Sequence, residues 1–205
     1  MDMADATGEG YPLVLQSGAD PSTLGGVAVC GLTTVGSVGV IAASHLIASL
    51  GLKPMGTVIH PEFPAVALIQ ESVPKHPVRV YQGEEMGVFI SEIQFPQASD
   101  FQFGNTVLEW FQKGGFDRLV IIDGLVSEDL GLKEDGDIWG VASLQSGRDA
   151  LDTVGIQRIQ QGIVTGVSGF LLAEGERQGL DITVLLAECN PVYPDARAAL
   201  IAVES

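Results

Sequence analysis

Only two of the 205 residues are cysteine, Cys30 and Cys189, and they share no CxxC spacing. A disulfide-stapled scaffold is excluded, and a reducing compartment, the cytoplasm, is expected. Basic residues are scarce too: 10 Lys and Arg stand against 26 Asp and Glu, a formal charge of -16. A field of that sign repels phosphate backbones and anionic lipid, so neither nucleic acid nor a membrane is expected as a partner. Charged residues total only 18%, below the ~25% of an average chain, so the acidity comes from missing cations rather than carboxylate runs. Long apolar runs are absent as well. The richest window, 38–50, holds 13 residues broken by Ser44, His45 and Ser49, whereas a membrane helix needs ~20. The start, Met1-Asp2-Met3-Ala4-Asp5, lacks the basic and apolar regions of a secretory signal.

What is plentiful is apolar carbon, at 46% of residues and a mean hydropathy of +0.30. A chain of this length buries roughly 70% of the surface its unfolded form exposes, enough for one ordinary core. Residues 1–26, rich in Gly, Asp, Ser and Pro, are expected to form a partly ordered N-terminal arm with an edge strand at Leu13–Leu15. Residues 27–205 are expected to form a single α/β domain.

The pattern supports that division. An apolar run from Val27 ends in Gly31-Leu32-Thr33-Thr34-Val35-Gly36 and enters Ser37–Leu50, apolar on nearly every face: strand, glycine-rich turn, buried helix. Ser37 is expected to cap that helix and Gly51 to end it. Six of the ten prolines lie between Pro54 and Pro96, where strands are expected at 55–60, 65–70, 78–82 and 87–93. A helix follows at 100–113. Asp117–Gly124 is a continuous β-branched run typical of a parallel strand covered on both faces. The acid-rich stretch 127–137 reads as a solvated loop, followed by a strand at 138–143, helices at 146–153 and 165–178, a strand at 181–187 and a last helix at 195–203. Strands alternating with helices predict an α/β fold with a largely parallel or mixed sheet.

No complete catalytic constellation emerges. The Gly31–Ser37 turn lacks the lysine of a phosphate loop and the spacing of a dinucleotide fingerprint, so it is either a close-packed turn or an unassigned ligand site. Thr165-Gly166-Val167-Ser168-Gly169 misses the nucleophile-elbow spacing by one, and all three histidines lie upstream of Ser168. Packing through Gly166 and Gly169 is the expected role of that segment. His60-Pro61-Glu62 offers two metal ligands without a third, so no metal is expected; no cofactor is expected either. Open α/β sheets bind ligands at the carboxyl ends of their strands. On that rule Thr33, Thr34, Gly36, Ser37, Glu92, Asp123, Gly124 and Glu188 are expected to line one cleft, with no catalytic residue assigned.

In order and spacing, the motifs resemble one family. Gly31-Leu32-Thr33-Thr34-Val35-Gly36-Ser37-Val38-Gly39, Val78-Arg79-Val80-Tyr81, Phe89-Ile90-Ser91-Glu92, Ile121-Ile122-Asp123-Gly124, Trp139-Gly140-Val141-Ala142-Ser143, Gly162–Gly169 and Val184-Leu185-Leu186-Ala187 resemble the PAC2 family of proteasome assembly chaperones. The resemblance implies a nucleoside-phosphorylase-like three-layer α/β/α fold, self-association, and chaperoning of proteasome α-subunits or a related client without catalysis. Two other readings stand beside it: a phosphorylase-like transferase or hydrolase using the strand-end pocket, and a self-assembling protein without a client. Archaeal chaperones of this kind can dock on the α-ring through a C-terminal tail with a hydrophobic residue followed by tyrosine before the last position; the sequence here ends Ala202-Val203-Glu204-Ser205, so tail docking is not among the expectations. A homo-oligomer is expected, its interface drawn from surface apolar residues, Phe63, Val66, Phe89, Phe95, Phe101 and Phe103, because exposed apolar patches mark contact sites.

Overall fold

The computed structural model describes residues 10–16, 25–126 and 137–205. The loop expected at 127–137 therefore lies, but for Asp137, outside the described residues, as does most of the N-terminal arm. The strands are β1 (Leu13–Leu15), β2 (Val27–Leu32), β3 (Lys53–Val58), β4 (Leu68–Gln70), β5 (Val73–Lys75), β6 (Val78–Gln82), β7 (Met86–Ser91), β8 (Arg118–Val126), β9 (Ile138–Ala142), β10 (Gln157–Arg158) and β11 (Ile182–Cys189). The helices are α1 (Val38–Ser49), α2 (Asp100–Lys113), α3 (Gln145–Val154), α4 (Gly166–Gln178) and α5 (Ala196–Glu204).

Nine strands form one mixed sheet in the order β1-β3-β6-β7-β2-β8-β11-β9-β10, and β4 and β5 make a separate hairpin. The four central strands, β7, β2, β8 and β11, are parallel, and each has the unbroken apolar character that burial on both faces demands. Alternation along β8 sends Leu119 and Ile121 into one core with α2 and α4, and Ile122 into the other with α1 and α5. The helix α3 packs beside the second core through Leu151. The fold is a three-layer α/β/α sandwich.

Beneath α2 the core is aromatic. Phe89 lies 5.6 Å from Phe103 and 5.5 Å from Trp110, and Trp110 lies 5.0 Å from Phe116, centroid to centroid. Such tilted and edge-on pairs add to the burial of large rings. Phe89 and Phe103 are fully buried, which corrects the expectation that they face a partner. Phe63 and Phe95 are half-buried, 5.0 Å apart, in a cluster that also holds Tyr11. Only Val66 and Phe101 of the six interface candidates are exposed.

Three local expectations are also corrected. Ser37 does not cap α1: it is itself left-handed, at φ 51° and ψ 25°, and makes no side-chain capping bond. With Gly36 at φ 62°, two successive left-handed residues turn the chain sharply from β2 into the helix. The strand expected at 65–70 is confined to β4, and its partner β5 was unforeseen. Their turn, Glu71-Ser72, has positive φ at both residues, a primed hairpin turn made without the usual glycine or asparagine. The two-residue β10 also escaped the pattern. Gly51, at φ 60°, does end α1 as expected.

Candidate functional site

Parallel polarity places the carboxyl ends of β2, β7, β8 and β11 along one edge. Leu32 stands opposite Ser91, and Asp123 opposite Leu186. Helices that precede a parallel strand must begin at that same edge, so the start of α4 faces these strand ends. Between them lies a cleft of about 520 Å³, lined by 32–35, 93–95, Gln97, Asp100, 123–125, 163–168 and Leu186.

Of the eight expected cleft residues, Thr33, Thr34, Asp123 and Gly124 line it. The Asp123 carboxylate accepts the Gly124 amide at 2.8 Å and the Ser168 hydroxyl at 2.7 Å, which clamps β8 to α4. The Thr33 hydroxyl donates to the Ser91 carbonyl at 2.9 Å, which ties β2 to β7. Asp100, at the first turn of α2, is the second carboxylate of the cleft, and burial pushes its carboxyl above the ordinary range. Among the described residues, none that lines the cleft is Lys, Arg, His or Cys.

Gly36, Ser37, Glu92 and Glu188 are not in the lining, each for a visible reason. A Cβ on Gly36 would stand 2.7 Å from Cys189 Sγ, so this glycine lets the β2–α1 turn press on β11. Ser37 belongs to the left-handed turn that enters α1. Glu92 is drawn to the buried Arg79: Arg79 Nη2 donates to Glu92 Oε2, Arg79 Nε donates to Tyr81 Oη at 3.0 Å, and Gln70 Nε2 donates to Glu92 Oε1 at 3.3 Å. Glu188 is buried and accepts the Asp137 amide at 3.3 Å. Gly124, though it lines the cleft, is also a packing glycine, since its Cβ would lie 2.3 Å from the Val35 carbonyl oxygen.

The residues that sequence reasoning missed here are Ser168 and Asp100. Ser168 is dismissed as a nucleophile from its spacing, and Asp100 figures only as the first residue of the helix expected at 100–113. The signal was topological: α4 leads into a central parallel strand, so its start had to meet the carboxyl edge. Gly169 does pack as expected, 2.2 Å from the Val164 carbonyl if given a Cβ, whereas Gly166 is required by its φ of 69°. The two thiols are free and buried. Burial pushes Cys189 up to about 11, with Asp195 and Asp123 adding to it, and raises Cys30 further. His60 lies 3.8 Å from Glu62, and among the described residues no group of three or more His, Cys, Asp or Glu is gathered to hold a metal.

These features define a three-layer α/β/α protein with an acid-floored cleft at the carboxyl edge of its parallel strands. The chain belongs to the PAC2 family, whose model matches residues 28–205. It is similar to Pyrococcus furiosus PbaA, described as an archaeal homolog of proteasome-assembly chaperone: 28% identity and a TM-score of 0.85, covering 94% of this chain and 79% of that one. The fold is shared with P. furiosus PbaB, described as an archaeal proteasome activator, at 19% identity and a TM-score of 0.78 over 96% of this chain and 87% of that one. An uncharacterized protein of Methanocaldococcus jannaschii is 25% identical over 162 residues, 79% of this chain. The chain spans 66% of that relative's length.

Proposed function

We propose that this protein is a proteasome assembly chaperone-like binding protein that holds proteasome α-subunits or a related client by surface contact and catalyses no reaction. The observation that carries the reading is the family membership over 28–205 joined to the 28% identity with PbaA across 94% of the chain. The acting unit is residues 27–205, with 1–26 as an arm, and its place is the cytoplasm. Two buried free thiols suit a reducing compartment, and no helix of the described residues is long and apolar enough to cross a membrane. The direct test is the rate at which unassembled α-subunits form rings on native gels with and without this protein. A faster or more complete conversion is expected; an unchanged course contradicts the reading.

The competing reading, a phosphorylase-like transferase or hydrolase, draws on the Ser168–Asp123 pair in a cleft. Its chemistry is poorly served there, because among the described residues of the lining no His or Lys stands by to take the Ser168 proton and no cation offsets a phosphate. A melting scan across nucleosides, nucleotides and inorganic phosphate is expected to move the midpoint by less than about 1 °C. A ligand at 100 times its Kd adds ~2.7 kcal/mol, worth at least ~5 °C in a domain of this size, and such a rise would favour the enzyme.

We also propose that the protein is a homo-oligomer, with the β4–β5 hairpin and Val66 at the interface. Ile69, Val73 and Val66 are exposed, and between Leu68 and His76 only Glu71 and Lys75 carry formal charge. Low charge matters where every subunit carries -16. Phe63→Asp or Phe95→Asp would also damage the aromatic cluster, so Val66→Asp and Ile69→Asp are the cleaner probes. Sedimentation at micromolar concentration should show an oligomer that those two substitutions dissociate with folding intact. A 21.5 kDa species alone contradicts self-association.

A further inference from the structure

Exposed large apolar side chains gather around the cleft. Val35 and Ile163 line it, Phe101 follows Asp100 into α2, and Val126 ends β8. Val192 and Tyr193 belong to the β11–α5 loop, which is tied to the β2–α1 turn by the Asp195 amide donating to the Gly36 carbonyl at 2.8 Å. Ile163 is 90% exposed, Val192 73% and Tyr193 68%. Isolated exposed apolar residues are ordinary, but a group along the one sheet edge that holds the cleft marks an interaction surface, and tyrosine is among the residues that carry binding energy there.

The floor of the cleft is acidic, with Asp100 and Asp123 and, among the described residues, no cation in the lining. A second copy is a poor match for it. Among the described residues, Arg79, Lys113, Arg118, Arg158, Arg177 and Arg197 are within ion-pair distance of the protein's own carboxylates. Another molecule of this protein therefore brings chiefly negative charge to the edge. Charge complementarity selects a partner whose surface presents Lys or Arg between apolar residues. The long stem of such a side chain suits the apolar walls formed by Leu32, Phe95, Leu125 and Leu186 while its head meets carboxylate.

We propose that this cleft and its apolar rim are the client-docking face, and that the client inserts a lysine or arginine side chain, flanked by apolar residues, toward Asp100 and Asp123. The inference rests on the binding-protein reading above and adds to it the surface and the chemistry of the partner.

The test has two arms. In the first, the full chain and its variants are measured for binding to unassembled α-subunits of the same organism. Ile163→Asp, Tyr193→Asp and Asp100→Lys should each weaken binding at least tenfold, while Leu50→Asp, an exposed position at the far end of α1, should leave it unchanged. Binding that survives all three rim variants, or that is lost only with Leu50→Asp, overturns the inference. If the unaltered chain binds no α-subunit, the client reading fails, and the second arm decides the surface by itself. A peptide of alternating leucine and lysine, titrated into the 15N-labelled chain, should shift amides at 33–35, 124 and 163–168 and bind at least tenfold more weakly to Asp100→Asn. A leucine–glutamate peptide should do neither. Shifts scattered over the protein or indifferent to Asp100→Asn overturn the inference, as do rim variants that dissociate an oligomer, which would make the edge a self-contact.

Discussion

Gly31→Val is expected to destabilise the fold severely. Gly31 sits in β2 directly beneath α1, and a Cβ there would stand 2.2 Å from the Gly39 carbonyl oxygen and 2.5 Å from the Ala43 Cβ. Gly39 meets the sheet in the same way, since its own Cβ would lie 2.3 Å from the Ile122 carbonyl oxygen. Helix and sheet thus touch through glycines from both sides, and the obstacle to a larger residue is backbone, which cannot rotate out of the way. Relief requires α1 to lift, which uncovers Val38, Ala42 and Ala43, all fully buried, and separates α1 from α5. Overpacking against movable side chains costs ~1–3 kcal/mol; here the loss should be at least ~3 kcal/mol, with Gly31→Ala intermediate. Urea unfolding followed by circular dichroism measures it, and a loss below ~1 kcal/mol for valine contradicts the close contact.

Arg79→Met should be nearly as damaging for a different reason. The Arg79 side chain is 7% exposed and that of its partner Glu92 17%. The guanidinium also donates to the His76 carbonyl and to Tyr81 Oη. Removing the arginine leaves a carboxylate enclosed with only Gln70 Nε2 donating to it among the bonds seen here. Breaking a buried pair from one side costs ~3–5 kcal/mol, whereas replacing both partners by apolar residues is often close to neutral. The double variant Arg79→Met with Glu92→Leu should therefore recover most of the loss. If the double variant is as unstable as the single one, the damage comes from packing or from the Tyr81 and His76 bonds rather than from the stranded charge.

The difference between Glu92 and Asp123 shows where sequence reading reaches its limit. Both are acids at the carboxyl ends of predicted strands, and periodicity located both strands. Which way each carboxylate turns depends on partners far along the chain: Arg79 for Glu92, Ser168 for Asp123. The central strands and all five helices were legible because their apolar runs and glycine stops are local signals. The β4–β5 hairpin was not, because its turn uses Glu71 and Ser72 in place of the glycine that would have announced it. Aromatic residues were the least legible class. Phe89 and Phe101 look alike as isolated letters, yet one is closed off beneath α2 and the other is 62% exposed beside Phe170. Phe89 stands on the central strand β7 under α2, whereas Phe101 stands on α2 itself, on its solvent side, and composition does not encode that difference. In the cleft, Asp100 and Ser168 come from helix starts that only the strand order brings together.

The central claim, that this PAC2 protein binds proteasome α-subunits without acting on a small molecule, is met most directly by native mass spectrometry of the full chain mixed with unassembled α-subunits. The account predicts discrete complexes containing both proteins, which disappear once complete α-rings have formed. Separate populations of the two proteins at every ratio, with ring formation unchanged, would contradict it.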